Sequence, residues 1–176
     1  MRISKILIAS MFFVFMSILC CFAQNAEVIG SEWNGHLYEI ILVPSGISWD
    51  SANSAAQAMG GHLVTITSPT ENTFLYNLVS KDDRYWTMGG WGSGFGPWIG
   101  LYRSGSGWEW VTGENTNYLN WEPDEPNDAY TNENWVAFAG RGAQAPARTL
   151  IGQNWDDVPD VRPKSFIIEY DFIPWH

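Results

Sequence analysis

Residues 98–135 read WIGLYRSGSGWEWVTGENTNYLNWEPDEPNDAYTNENW, and the fold prediction starts from this stretch. It opens with a short apolar strand at residues 98–101, turns through a Gly-Ser-Gly sequence and returns in a second strand at residues 108–111. The polar run over residues 112–134 has almost no strand pattern, and a third strand follows at residues 135–139. Long loops inside compact domains usually carry function, so the site is expected here.

The part of the chain before this stretch predicts two helices and two strands. Residues 36–42 and 62–66 have strand patterns. One helix begins after Ser48, a good N-cap, and ends at a Gly-Gly pair. Residues 68–71 form a capping box with proline at the first helical position, so they begin a second helix. Residues 82–97, rich in Gly, Trp and Asp, are predicted to be a loop.

The part after the long loop predicts only short strands. Residues 143–147 indicate a loop, and residues 154–155 and 166–170 indicate the last strands. No internal repeat or Pro-rich linker divides the chain, so we expect one domain over residues 31–172, with a tail at 173–176. Helices early and strands late predict an α+β fold.

The N-terminal residues are typical of a secretory signal peptide. Arg2 and Lys5 precede an apolar run, and Ala23 supplies a small residue before a polar one. We therefore predict a signal over residues 1–23, followed by an N-terminal segment at 24–30. A membrane anchor is the alternative, but the apolar run is only marginally long enough and no basic stop-transfer segment follows. The expected product has no membrane span after signal removal and is secreted, extracellular or, in a Gram-negative cell, periplasmic.

The composition excludes some partners and favours another. The chain has 19 acidic against 9 basic residues, a net charge of −10, which argues against nucleic acid and anionic lipid as partners. Eleven tryptophans in an acidic exported chain suggest carbohydrate handling, although most of these rings are expected in the core. Trp91 and Phe95, in a Gly-rich segment, are candidates for stacking on a sugar ring. The expected core tryptophans are Trp98, Trp108, Trp110, Trp121 and Trp155.

Oxygen-bearing side chains are concentrated in the long loop and after it. Calcium prefers several ligands of this kind, drawn from carboxylates, amides and carbonyls. Pro126 fixes a turn, and a cis bond there would project its two neighbours from the same side. A merely solvated acidic loop remains the alternative on these residues alone. The six candidates are Glu125, Asn127, Asp128, Glu133, Asp156 and Asp157.

Several motifs, in this order along the chain, resemble the C-type lectin domain family. The resemblance covers nearly the whole chain after the signal, and the motifs are specific as a set although each is weak alone. It implies a C-type-lectin-like fold, with two helices, small antiparallel sheets and a long calcium-binding loop. The motifs are GGHLVTI at 60–66, WIGL at 98–101, Asn120-Trp121, Glu125-Pro126-Asn127, Glu133, Trp155-Asp156-Asp157 and the closing strand at 166–170.

The resemblance also implies roles for individual residues. Glu125, Asn127, Glu133, Asp156 and Asp157 would bind a calcium ion, and two neighbouring sugar hydroxyls would complete its coordination. Sugar contact would involve Glu125, Asn127, Glu133 and Asp156, with the carboxylates accepting and the Asn127 amide donating. In the family the Glu-Pro-Asn order accompanies mannose-, glucose- or fucose-type sugars. The implied partner is a glycan or cell-surface polysaccharide, and a single weak site would need self-association for avidity.

Two departures from the family pattern alter these expectations. Asp156 replaces an amide, which adds negative charge toward calcium but makes the sugar preference less secure. Both cysteines, Cys20 and Cys21, leave with the signal. Where the alignment places the family's half-cystines the chain has Ala56, Trp135, Asp160 and Ile168. Since both disulfides are absent, the domain is expected to depend on apolar packing and on its ion for stability.

Other functions remain open on the sequence. A C-type-lectin-like module can bind proteins without sugar, because fold does not fix function. A hydrolase with Glu122 and Glu125 as acid and base is disfavoured, and no enzyme is expected. Asp128 and Asn134 are candidates for a second calcium ion. The three histidines, His36, His62 and His176, show no metal-binding spacing along the sequence.

Overall fold

The computed structural model describes residues 28–88, 93–141 and 152–171. The predicted signal, Trp91, His176 and the loop expected at 143–147 lie outside these ranges. Among the described residues, no helix is both long and apolar enough to cross a bilayer.

Two helices and nine strands make up the described part of the chain. The helices are α1 (Trp49–Ala58) and α2 (Pro69–Val79), and a short 3₁₀ helix follows at Asp83–Tyr85. The strands are β1 (Val28–Trp33), β2 (His36–Leu42), β3 (His62–Leu63), β4 (Thr87–Met88), β5 (Ser93–Ser104), β6 (Gly107–Trp110), β7 (Trp135–Arg141), β8 (Asn154–Val158) and β9 (Ser165–Tyr170). This composition confirms the predicted α+β class.

Both helices begin at the predicted caps. Ser48 Oγ accepts the Ser51 N–H at 3.3 Å, and Ser68 Oγ accepts the Glu71 N–H at 3.2 Å. The Glu71 carboxylate reaches back to the Thr67 N–H at 2.8 Å, so two otherwise unpaired donors at the start of α2 are satisfied reciprocally. Local sequence therefore fixes where each helix starts.

The strands form one mixed sheet whose main path is β1-β2-β9-β5-β7-β8. Strand β9 is central because it pairs antiparallel with β2 and β3 and meets β5 in a parallel pair at Trp98 and Phe166. Strand β8 pairs antiparallel with β7, so residues 154–158 lie toward the far side of the sheet from β2. The long loop connects β6 to β7 and packs against β8.

The two faces of β9 point into two apolar clusters. Ile167 belongs to one, with Trp86, Trp110 and Trp155; Ile168 belongs to the other, with Trp98. Buried indole N–H groups are satisfied by buried carbonyls: Trp98 donates to the Ile47 oxygen at 2.9 Å and Trp86 to the Val79 oxygen at 3.0 Å. The tryptophans therefore carry both apolar burial and polar connections between elements.

Three local predictions need correction. Strand β1 was not predicted, although it pairs with β2 over six residue pairs. The strand expected at 62–66 covers only His62–Leu63. The loop predicted at 82–97 is wrong in part, because it contains the 3₁₀ helix, β4 and the first residues of β5.

The aromatic predictions are partly correct. Trp98, Trp110 and Trp155 are buried, whereas Trp108 and Trp121 are only partly buried and pack against the core edge. Phe95 packs against the second apolar cluster and pairs with Thr87, so it is half-buried inside the sheet. Ala56 and Ile168, aligned with two family cysteines, are both fully buried in that same cluster.

Candidate metal centre

The long loop is held at its middle and at its end by backbone hydrogen bonds. At its middle, the Trp155 N–H donates to the Asn120 oxygen and the Glu122 N–H to the Trp155 oxygen, both at 2.8 Å. At its end, the Arg103 N–H donates to the Asn134 oxygen at 2.8 Å. These bonds place residues 122–133 against β8, although the loop contains no strand of its own.

The turn at Pro126 has the conformation considered for it from the sequence. The Glu125–Pro126 peptide bond is cis, and Asp124 and Asp128 on either side have positive φ angles of 73° and 51°. Aspartate tolerates this left-handed region better than most residues because its short polar side chain bonds locally.

Three of the predicted ligands converge across the loop and β8. Glu125, Asp156 and Asp157 offer carboxylate oxygens that all lie within 4.8 Å of one another. Asp156 is 6% exposed and Asp157 is fully buried, and both Glu125 carboxylate oxygens are shielded from solvent. Carboxylates gathered this closely repel one another unless a cation or hydrogen-bond donors offset their charge.

Asp157 ties the turn to the sheet. Its carboxylate accepts the Asn127 N–H at 3.0 Å and the Asp128 N–H at 3.2 Å, one on each oxygen. The Arg103 guanidinium donates to the same carboxylate at 3.0 Å. Asp157 is thus already well supplied with donors from protein groups.

Glu133 lies beside this group and is also buried. The residue is 3% exposed, and its Oε2 is buried with no hydrogen-bond donor among the described residues. Burial raises the pKa of the Glu133 carboxyl, and the nearby charge of Asp157 raises it further; the Tyr130 and Ala129 N–H groups oppose this. The Glu133 N–H donates to Asp128 Oδ1 at 3.0 Å, which closes the end of the loop.

Asn127 is placed in the same turn but its side chain has a local role. Its Oδ1 accepts the Ala129 N–H at 2.7 Å, and the residue is exposed. The structure therefore brings Glu125, Asp156 and Asp157 together, sets Glu133 beside them, and attaches Asn127 to the group through its backbone. Asp128 serves in loop closure, while Asn134 accepts a strand hydrogen bond through its carbonyl.

Arg103 also belongs to this group, although the sequence patterns did not predict a role for it. Besides binding Asp157, its Nε donates to the Glu133 carbonyl oxygen at 3.2 Å, and its guanidinium carbon lies 4.6 Å from the ring centroid of Trp108. A signal was available, because Arg103 is the single Lys or Arg among residues 98–135. A lone cation among many acids is a good candidate for an internal counter-charge.

The donor set suits a hard divalent cation. All the converging side chains offer oxygen, which is the ligand type that calcium prefers. A buried Glu133 oxygen that receives no hydrogen bond from the described residues is the kind of atom a cation would satisfy.

The Lectin C-type domain family matches residues 45–167, which is well over half of the chain. The chain belongs to the C-type lectin domain family. It is 29% identical over 157 residues to C-type lectin domain family 4 member K of Homo sapiens, a match that covers 84% of this chain and 40% of the human protein. The chain therefore spans less than half the length of that relative.

Solved C-type lectin structures share the fold. The cow C-type carbohydrate-recognition domain of CD23, in the presence of GlcNAc2Man3 oligosaccharide, aligns with a TM-score of 0.58 and 24% identity, covering 80% of this chain and 92% of that one. The Ca2+-independent C-type lectin SPL-2 from Saxidomus purpuratus aligns with a TM-score of 0.59 and 16% identity, covering 81% and 91%. The fold thus occurs both in a domain solved with oligosaccharide and in a lectin described as calcium-independent. C-type lectins are, as a class, binding proteins rather than enzymes.

Proposed function

We propose that this C-type lectin domain binds calcium through Glu125, Asn127, Glu133, Asp156 and Asp157, and binds carbohydrate at that ion. The observation that carries the proposal is the convergence of the Glu125, Asp156 and Asp157 carboxylates at the loop surface, beside the buried Glu133. Glu125 and Glu133 lie in the loop, whereas Asp156 and Asp157 lie on β8, so the loop and a strand distant from it in sequence both contribute acids.

Charge favours cation binding even though Arg103 is present. Arg103 offsets one carboxylate, Asp157, at 3.0 Å. Glu125, Glu133 and Asp156 then contribute negative charge to a region shielded from water, where electrostatic attraction is stronger than in bulk solvent. Burial and, after it, the charge of Asp157 raise the pKa of the Glu133 carboxyl, and a divalent ion would offset that charge.

The sugar is expected to be of the mannose, glucose or fucose type. Calcium would supply a positive centre for two neighbouring sugar hydroxyls. Glu125 and Asp156 accept hydrogen bonds from such hydroxyls, and the Asn127 side-chain N–H donates one. Asn127 Oδ1, which accepts the Ala129 N–H, would leave that contact to bind the ion. Tyr130, 72% exposed in the same loop, offers an aromatic face to the apolar side of a pyranose ring.

The test is a calorimetric titration with calcium, followed by mannose and galactose in the calcium-loaded protein. The double variant Glu125→Gln with Asn127→Asp exchanges acceptor and donor around the ion. It is expected to retain calcium binding and to shift the preference from mannose toward galactose. Glu109→Gln is the matched control, because Glu109 is an exposed glutamate on β6, and it should change neither affinity.

If the wild-type protein releases no heat on titration with calcium and is not stabilised by it, the proposed calcium site is wrong. An unchanged sugar preference in the double variant, with calcium still bound, would instead show that the sugar binds elsewhere. The two failures are distinguishable because calcium and sugar are titrated in separate steps.

A second candidate is a ligand-binding module that works without calcium. The favouring observation is that Asp157 is already bound by Arg103 and by two loop amides. A glycan array probed with calcium and with chelator separates the two functions. Hits that vanish with chelator support the calcium lectin; chelator-resistant hits, or none, favour the second candidate.

We further infer that the domain is exported after cleavage behind Ala23 and gains avidity by self-association. N-terminal sequencing of the product recovered outside the cytoplasm should begin at Gln24. Light scattering on the purified product should give more than one chain per particle, and a monomer would leave avidity to the spacing of glycans on the target surface.

A further inference from the structure

Histidine and carboxylate side chains meet at the end of the sheet formed by β2, β9 and β3. The register places His62 opposite Glu169, and Leu37 opposite Tyr170, so His36 lies across from Asp171. Directly opposed residues share a face of a sheet, and so do residues two apart on one strand. His36, His62, Glu169 and Asp171 therefore all project from the same face, although the sequence separates the first from the last by most of the domain.

The distances within this group suit a small divalent ion. His36 Nδ1 lies 2.9 Å from Glu169 Oε1 and 3.8 Å from Asp171 Oδ1, and all three ligand atoms lie within 4.8 Å of one another. Zinc binds histidine nitrogen and carboxylate oxygen at about 2.0–2.2 Å, so the edge of its coordination tetrahedron is about 3.3 Å. The two shorter separations lie on either side of that value.

The contact between His36 and Glu169 is close without being a hydrogen bond. Nδ1 of His36 is buried and finds no hydrogen-bond partner of acceptable geometry among the described residues, although the Glu169 oxygen is only 2.9 Å away. The ring nitrogen and the carboxylate oxygen are thus close together without being aligned for a hydrogen bond. That arrangement is expected of two ligands of one ion.

The surrounding groups hold the carboxylates in place. The Thr65 N–H donates to Glu169 Oε2 at 3.0 Å, and the Tyr38 hydroxyl donates to Glu169 Oε1, the oxygen next to His36, at 3.3 Å. His62 lies with Nε2 3.0 Å from Asp171 Oδ1 and Nδ1 2.9 Å from the Leu63 carbonyl oxygen. Carboxylates that bind a metal are commonly hydrogen-bonded by a neighbouring group, and His62 supplies that contact to Asp171.

The group is also accessible. His36 and Glu169 line a cavity of about 450 Å³, together with Tyr38 and Glu71. Glu71 and Glu169 are 3% and 4% exposed, so two carboxyl groups lie behind the histidine in a poorly solvated region. The Asp171 side chain is 65% exposed, which leaves an entry path from solvent.

We propose that His36, Glu169 and Asp171 bind a zinc ion, with His62 positioning Asp171. Mixed imidazole and carboxylate ligands favour zinc over calcium, which takes oxygen alone. Three protein ligands leave one position for water. The ion would link the beginning of β2 to the end of β9. Ile168, next to this point, stands where the family alignment would place a cysteine.

The test is calorimetric titration of the full domain, without a histidine tag, with zinc and separately with calcium. We expect one zinc ion per chain and a rise in melting temperature. Asp171→Asn is the main variant, because this exposed side chain can be changed without disturbing the core. It should weaken zinc binding at least tenfold, and His36→Gln should do the same or more. Glu125→Gln, in the loop centre, should leave zinc affinity unchanged.

Several results would overturn the proposal. One is no zinc binding up to about 1 mM, the weak limit of a specific site. A second is zinc affinity that stays unchanged in both Asp171→Asn and His36→Gln. A third is zinc affinity that is lowered by Glu125→Gln but not by those two substitutions. Calcium displacing zinc from this group at equal concentration would likewise exclude a zinc-selective site. Because the loop centre is probed by a different variant, none of these results depends on the calcium proposal.

Discussion

Replacing Arg103 by methionine tests whether the long loop depends on an internal cation. The substitution keeps the apolar stem that packs near Trp108 but removes the guanidinium that donates to Asp157 at 3.0 Å and to the Glu133 carbonyl at 3.2 Å. Asp157 is fully buried, so its charge cannot be compensated by bulk water.

The expected cost follows from burial. Removing one partner of a buried ion pair costs about 3–5 kcal/mol, because the other charge is left uncompensated. Two circumstances move the value to the lower end: the Arg103 side chain is 27% exposed, and Asp157 keeps the N–H groups of Asn127 and Asp128. We therefore expect a loss of about 3 kcal/mol, or roughly 10 °C in melting temperature for a domain of this size.

The assay is urea and thermal unfolding in the presence of chelator, with Arg84→Met as the matched control. Arg84 is 58% exposed and pairs with Asp82 at 2.6 Å, so its loss should cost under about 1 kcal/mol. A double-mutant cycle with Asp157→Asn should return about 2 kcal/mol of coupling. Equal losses in Arg103→Met and Arg84→Met would refute the reasoning. If calcium binds at the loop centre, adding it should reduce the Arg103→Met penalty.

Two further outcomes are expected. Glu133→Gln removes the desolvated charge while keeping an oxygen that accepts the loop N–H groups. It should therefore raise the free energy of unfolding in chelator and lower calcium affinity at least tenfold. Melting curves with and without calcium measure both effects. Asn72→Ala should cost about 3 kcal/mol in urea unfolding, because buried Asn72 accepts the Trp155 indole N–H at 2.9 Å and donates to the Gln153 carbonyl at 2.9 Å. The exposed Asn117→Ala is its control, and a loss in Asn72→Ala no larger than the control's would contradict the hydrogen-bond assignment.

The helices were predictable because their signals are local. Ser48 and Ser68 each bond to a backbone N–H three residues later, so the sequence contains both partners of each cap. The β2 range was likewise predicted in full, since its alternation includes buried Tyr38 and Ile40.

The first part of β5 was not predictable because its signal is tertiary. Gly94, Gly96 and Pro97 are typical of a loop, yet the segment pairs with β4 and β7. A Cβ at Gly96 would lie 2.8 Å from the ring of Trp86, so glycine is required there by close packing rather than by a turn.

The acidic ligands of the candidate centre could be selected from sequence because they fall in motifs around Pro126 and Trp155. The residues that contact these acids from other elements could not be selected from the sequence. Arg103 lies 54 residues from its partner Asp157, and no spacing rule joins them. The spacing of the histidines along the sequence predicts no metal site, yet the sheet register brings both His36 and His62 close to Asp171.

Asp157 explains how loop order and ion binding can be separate properties of this domain. Its carboxylate already receives the Asn127 and Asp128 amides and the Arg103 guanidinium, so the turn has its connection to β8 before any ion is considered. Arg103 carries a single charge, whereas Glu125, Glu133 and Asp156 add three carboxylates to the same region. The arginine is therefore sufficient to hold the loop's shape but insufficient to balance its charge. On this argument, the calcium ion proposed above would bind to a loop that is already formed, and it would add a ligand-binding centre rather than fold the turn.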